Sequence, residues 1–246
     1  MKRIQYLYIL MIFISGALAS CTTDSTGDIS EITTYPIITL TGDPVVLVSQ
    51  GDTYTDEGAV SMVGSDVIET QTSFSNGTYN GADGVDTNTP DQYLVTYAAE
   101  NSDGFTGTNS RVVWVANTGD LVNSIEGLYT ADVQRAPDFA PTTNDLKYVI
   151  ISKTGANTYE ITHAIGGYYD MGRGYGPGYA ARGAIITAND IPSNNFSVSQ
   201  AVFPIWGNTV DIIDFKVDAA AKVISFQGNG NFGNGTFKVQ LKQVQF

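Results

Sequence analysis

Short runs in which apolar and polar residues alternate, each closed by Gly, Asn, Asp or Pro, recur from about residue 45 to the end of the chain. No long stretch keeps apolar residues at i, i+3, i+4 and i+7, so the pattern predicts strands rather than helices. In the first half the predicted strands are residues 45–48, 93–97 and 111–115. In the second they are 127–133, 147–153, 159–164, 183–187, 196–202, 210–217, 222–227 and 236–243. In the last of these Phe237, Val239 and Leu241 alternate with Lys238, Gln240 and Lys242, which gives one buried and one wet face. Val244 and Phe246 fall in the opposite phase, so either a bulge near Lys242 and Gln243 resets the register or the last residues leave the sheet. Residues 228–235, Gly and Asn around a single Phe232, read as a long hairpin loop. The fold class is all-β.

The start of the chain departs from this pattern. Lys2 and Arg3 precede an apolar run over residues 6–18, which ends in Leu18-Ala19-Ser20-Cys21. This is the arrangement of a lipoprotein signal peptide over residues 1–20, with Cys21 as the lipid-modified first residue of the mature protein. The run is shorter than the roughly 20 apolar residues a spanning helix needs. Cys21 is the only cysteine, so no disulfide forms within the chain and stability must come from packing and sheet hydrogen bonds. Residues 21–36 carry few apolar side chains and read as a flexible tether. What remains is enough for one large β domain or two modules, here divided as 37–117 and 118–246.

Charge narrows the partners. The formal net charge is −13, and loss of Lys2 and Arg3 with the signal peptide makes the mature chain more acidic still. Phosphate backbones and anionic headgroups would repel such a surface, which argues against nucleic acid and leaves the acyl chains as the means of membrane attachment.

Two stretches of the first module carry a family resemblance. Gly51-Asp52-Thr53-Tyr54-Thr55-Asp56-Glu57-Gly58-Ala59 looks like an early turn and strand. Residues 85–97, followed by Asn101-Ser102-Asp103-Gly104 and Arg111-Val112-Val113-Trp114-Val115, look like a closing hairpin and last strand. Together they resemble a bacterial immunoglobulin-like module related to those of insecticidal crystal proteins, with Asp91 standing where that family usually has Gly. The resemblance implies a β-sandwich. Asp56, Glu57, Asp86 and Asp103 read as turn-capping groups, since no calcium loop of EF-hand spacing is present, and Trp114 as packed into or against the sandwich. The second module, opened by Gly127-Leu128-Tyr129 and marked by residues 165–179, resembles the C-terminal domains of Bacteroidetes-type surface lipoproteins that accompany outer-membrane glycan-uptake systems. That implies a second antiparallel β-barrel or β-sandwich, on a cell-surface accessory protein of the outer membrane.

Catalytic and cofactor motifs are not found. His163 is the sole histidine, no Gly-x-Ser-x-Gly elbow occurs, and no zinc spacing exists; His163 reads as a strand residue with an ordinary hydrogen bond. No cofactor is implied. Asp170, Asp190, Asp211, Asp214 and Asp218 are the acids from which a glycosidase pair would have to come. The denser signal is residues 166–179, where Tyr168, Tyr169, Tyr175 and Tyr179 are interleaved with six glycines, Asp170 and Arg173. Tyr faces suit stacking on sugar rings, with Asp170 and Arg173 hydrogen-bonding the rim and Trp206 as a further platform. The competing reading is a structural loop whose tyrosines fold back onto the barrel. The expected function is non-catalytic capture of an oligosaccharide or polysaccharide alongside glycan-uptake components. A scaffolding lipoprotein with protein partners is the alternative, and a glycoside hydrolase the third.

Overall fold

The computed structural model describes residues 33–246. The signal peptide, Cys21 and most of the tether lie outside the described residues. Among those described, no helix is long and apolar enough to cross a membrane.

The first module is a β-sandwich of two sheets. β1 (Ile37–Leu40), β3 (Ala59–Val63) and β4 (Asp66–Ile68) form one, in the order β1-β3-β4. β2 (Val45–Ser49), β5 (Gln71–Phe74), β6 (Asp91–Glu100) and β7 (Thr106–Ala116) form the other, in the order β2-β7-β6-β5, with β2 parallel to β7. Alternation along β6 sends Tyr93, Val95, Tyr97 and Ala99 into the core beside Val113 and Val115 of β7. β3, β4 and β5 were not legible in the sequence. Their runs are short, and β5 (Gln-Thr-Ser-Phe) is exposed throughout, so no apolar face marks it.

The interior of this module also holds charged side chains, Arg111 and Asp91. Arg111 is fully buried and pairs with Asp56. Its Nε donates to the Asp43 carbonyl at 2.8 Å and Nη1 to the Tyr97 hydroxyl at 2.8 Å, while Nη2 donates to the Thr41 carbonyl. Asp56 also accepts from Tyr97 Oη at 2.6 Å, Tyr54 Oη at 2.8 Å and the Gly58 amide at 3.0 Å. Burial acts to raise the Asp56 pKa, but the hydrogen bonds from Tyr97, Tyr54 and Arg111 outweigh it and hold the carboxyl below its ordinary value. Asp56 is thus the counter-ion of a buried arginine as well as a turn residue, whereas Asp86 does cap its turn, accepting from the Asn88 amide and the Thr89 hydroxyl.

The second module is one curled antiparallel sheet of nine strands. They are β8 (Gly127–Arg135), β9 (Thr143–Lys153), β10 (Thr158–Ile161), β11 (Ala184–Asp190), β12 (Asn195–Val198), β13 (Ala201–Val202), β14 (Thr209–Asp218), β15 (Val223–Gly230) and β16 (Thr236–Gln243). Their order is β12-β11-β10-β9-β8-β16-β15-β14-β13, and the sheet wraps its own core as an incompletely closed barrel. Phe196 of the edge strand β12 meets Phe215 of β14, next to the opposite edge, at 4.9 Å between ring centres, drawing the two sides of the curl together. β16 pairs in unbroken register with β15 to Lys242 and with β8 to Gln243 and then stops, so the last residues leave the sheet and no bulge is needed.

The long hairpin loop expected over residues 228–235 is corrected: β15 runs on to Gly230, leaving a shorter turn. Within the strand, position 228 is glycine because the chain crosses close above it. A Cβ there would lie 2.7 Å from the Ala164 carbonyl oxygen.

The modules share a third apolar cluster. Trp114, Ala116, Leu128 and Ile150 are buried together, flanked by Leu47, Tyr79, Val112, Tyr148 and Val244. Asp91, where the resembling family usually has Gly, explains how Tyr79 reaches it. Its fully buried carboxylate accepts from the amides of Tyr79 (2.8 Å), Asn80 (2.7 Å) and Gln92 (2.7 Å), fixing the loop that presents Tyr79 to the second module. Arg182 then donates to the Tyr79 carbonyl at 3.1 Å.

Candidate functional site

The segment between β10 and β11 builds the site. After Ile161 the chain passes through the interior of the curl, where His163, Ala164 and Ile165 are at most 1 % exposed. Gly166 turns it at a left-handed φ of 63°, and a Cβ on it would lie 2.7 Å from Val133 and 2.8 Å from Val239, so only glycine fits against the barrel wall. A single π-helical turn, Tyr168–Gly172, and a 3₁₀ turn, Pro177–Tyr179, then carry the chain to the surface. Gly166 therefore has a structural role.

The aromatic residues divide into a buried base and an exposed top. Tyr169 is 8 % exposed and packs against Tyr168, Phe203, Phe232 and Phe237. Burial raises the pKa of its hydroxyl. Tyr175 stacks over Tyr169 at 6.0 Å with the rings 15° from parallel, and Trp206 meets Tyr169 edge-on at 4.9 Å. Tyr179 touches both, at 5.5 Å from Tyr175 and 4.8 Å from Trp206. Tyr175 is 48 % exposed, Trp206 42 % and the adjoining Ile205 58 %. Three mutually supporting rings on a buried aromatic base make an apolar platform whose side chains are already ordered, so a ligand would cost little side-chain entropy to bind there.

Asp170 is not part of this platform. The expectation that it hydrogen-bonds a ligand rim is corrected: it is 6 % exposed and faces the first module. Its Oδ2 accepts from the Tyr79 hydroxyl at 3.0 Å and lies 3.0 Å from His163 Nε2, while His163 Nδ1 lies 2.8 Å from the Thr162 hydroxyl. His163 thus bridges Asp170 and Thr162. His163 sits just past β10 rather than within it, fully buried. Burial, followed by the charge and hydrogen bond of Asp170, drives the Tyr79 pKa far up, so its hydroxyl stays protonated as a donor.

Arg173 does lie at the surface near the aromatic residues, where the Tyr175 hydroxyl raises its pKa further. Sequence reasoning missed Arg135, Phe203 and Phe232. Arg135 lies over the rings of Tyr168 (5.8 Å), Tyr169 (5.4 Å) and Phe237 (5.6 Å). Nothing local marks it, because β8 and residues 168–169 meet only through the fold. Phe232 did carry a signal, as a lone apolar residue among seven Gly and Asn that must pack somewhere.

The remaining acids are spread out. Asp211, Asp214 and Asp218 are exposed along β14, and Asp190 accepts from the Ser193 amide in the turn after β11. Among the described residues no group of three or more His, Cys, Asp or Glu is placed to hold a metal ion.

Comparisons with known proteins agree with this architecture. Residues 38–115 match the model of the bacterial surface protein, Ig-like domain. A crystal structure of a lipoprotein from Bacteroides thetaiotaomicron superimposes with a TM-score of 0.60 at 24 % identity, covering 85 % of this chain and all of that one, which shows a shared fold. No curated protein matches the chain. Residues 118–243 match a family model described as a C-terminal domain. That match spans half of the chain, and the protein therefore belongs to the family this C-terminal domain defines.

Proposed function

We propose that this is a lipid-anchored protein of the bacterial cell surface, held at the outer membrane through Cys21, whose second module captures carbohydrate without catalysis as an accessory of a glycan-uptake system. The observation that carries the reading is the platform of Tyr175, Tyr179 and Trp206. Aromatic faces of this size, half exposed and ordered from below, suit the C–H faces of sugar rings. The surface location draws support from the Ig-like family of the first module and from the lipoprotein that shares the fold.

A panel of polysaccharides screened by affinity electrophoresis, with titration calorimetry on those that bind, tests it. The variant Tyr175→Ala/Trp206→Ala is expected to bind roughly 5-fold to 150-fold more weakly, as loss of stacking worth about 1–3 kcal/mol implies. Its unfolding midpoint should stay near that of the parent, because both side chains lie on the outer side of the cluster. Equal affinity in parent and variant would remove the platform from the binding site, and the scaffolding alternative would then take its place.

A further inference from the structure

Beside the platform lies a cavity of about 380 Å³ lined by Arg135, Asp138, Thr143, Tyr168, Arg173 and Asn234 among others. The chain is strongly acidic, yet two of the four arginines among the described residues converge here. Of the other two, Arg111 pairs with Asp56, and Arg182 has no ion pair but donates to the Tyr79 carbonyl, outside this cavity's lining. Neither Arg135 nor Arg173 forms an ion pair, although Asp138 lines the same cavity. Arg135 uses Nε on the Asn234 carbonyl at 3.0 Å and rests its guanidinium on Tyr168 and Tyr169, which orients the fork while leaving its terminal nitrogens for another acceptor. With so many carboxylates available, two adjacent guanidiniums without an ionic partner mark a place for an anion brought from outside.

The cavity lies next to the platform, since Arg173, which lines it, is two residues from Tyr175 and interacts with its hydroxyl. The Arg135 guanidinium carbon is 5.4 Å from the centre of Tyr169, and Tyr169 is 6.0 Å from Tyr175, so the cation and the platform lie within about 11 Å of each other, a distance a short oligosaccharide bridges. We infer that the ligand is an anionic glycan: a ring stacks on Tyr175, Tyr179 and Trp206 while a carboxylate or sulfate substituent of a neighbouring sugar enters the cavity and is held by Arg135 and Arg173. This rests on the carbohydrate-binding reading and adds the charge of the substrate to it.

The test pairs each anionic polymer with its neutral counterpart, using polygalacturonate against carboxyl-reduced polygalacturonate and dextran sulfate against dextran. The wild type is expected to prefer at least one anionic polymer, with affinity that falls as salt is added. Which pair shows the preference separates carboxylate from sulfate. Arg173→Gln, an exposed substitution, and Arg135→Gln/Arg173→Gln should weaken anionic binding roughly 10-fold to 100-fold and remove the preference for the charged polymer over its neutral counterpart. Tyr175→Ala/Trp206→Ala should weaken both. Should Arg135→Gln disturb the core beneath it, Arg173→Gln alone still decides. Equal binding of the charged and neutral members of both pairs, or unchanged anionic binding in Arg173→Gln and the double arginine variant, overturns the inference. Of these, neutral binding that still depends on Tyr175 and Trp206 leaves the platform standing.

Discussion

Replacing Arg111 with Met is expected to destabilise the first module by about 3–5 kcal/mol, the usual cost of breaking a buried ion pair from one side. Met keeps much of the apolar stem but leaves Asp56 without its cation and the Asp43 and Thr41 carbonyls without a donor. Against a total stability of about 5–15 kcal/mol, that is a large fraction. Urea denaturation should show the midpoint fall with little change in slope. The same pair sets an acid limit. Because the folded Asp56 pKa lies below its unfolded value, the pair's contribution is complete above about pH 4 and is lost as pH falls through the folded value. Without the guanidinium, burial acts on the carboxyl with less opposition, its folded pKa rises, and the loss should begin at higher pH in Arg111→Met. A variant within 1 kcal/mol of the parent, with the same acid profile, would show that the tyrosines and the Gly58 amide hold Asp56 unaided.

Trp114→Ala should cost a similar amount, about 3–5 kcal/mol, through a different mechanism. On β7 the residues Arg111, Val113 and Val115 face the core of the sandwich, so Trp114 points out of it, yet it is only 4 % exposed. The second module buries it: Tyr148 meets its ring edge-on at 5.2 Å, and Leu128 and Ile150 close the cluster. Removing it opens a cavity between the modules and leaves the Tyr79, Asp170 and His163 contacts as the main link. Calorimetry should then show two unfolding transitions in the variant where the parent is expected to show one. Retention of one transition with an unchanged midpoint would mean that the polar contacts alone couple the modules.

The strands with strict alternation were legible because the pleat itself writes period two into the sequence. β6 and β16 follow it throughout, whereas β7 and β8 each include a run buried on both faces where the modules meet. What could not be read depended on contacts across long separations. Asp170 looked like a partner for sugars because Tyr and Gly surround it in sequence, but its neighbours in space are His163 and a tyrosine 91 residues earlier. Arg111 lay within a correctly predicted strand, yet no local pattern tells a buried arginine from a solvated one. The aromatic segment was legible as a concentration of rings. Its division into the buried Tyr169 and the exposed Tyr175 and Trp206 depends on where the chain leaves the barrel, and that is set by Gly166 meeting Val133 and Val239.

The chain has two tryptophans, one in each environment: Trp206 on the platform and Trp114 sealed between the modules. Fluorine NMR of the fluorotryptophan-labelled protein, titrated with a polysaccharide that it binds, therefore tests the central claim without any mutation. Glycan capture on the platform should shift or broaden the Trp206 resonance in a saturable way and leave that of Trp114 where it was. Saturable binding with the Trp206 resonance unmoved would place the ligand elsewhere on the protein and contradict the proposed site.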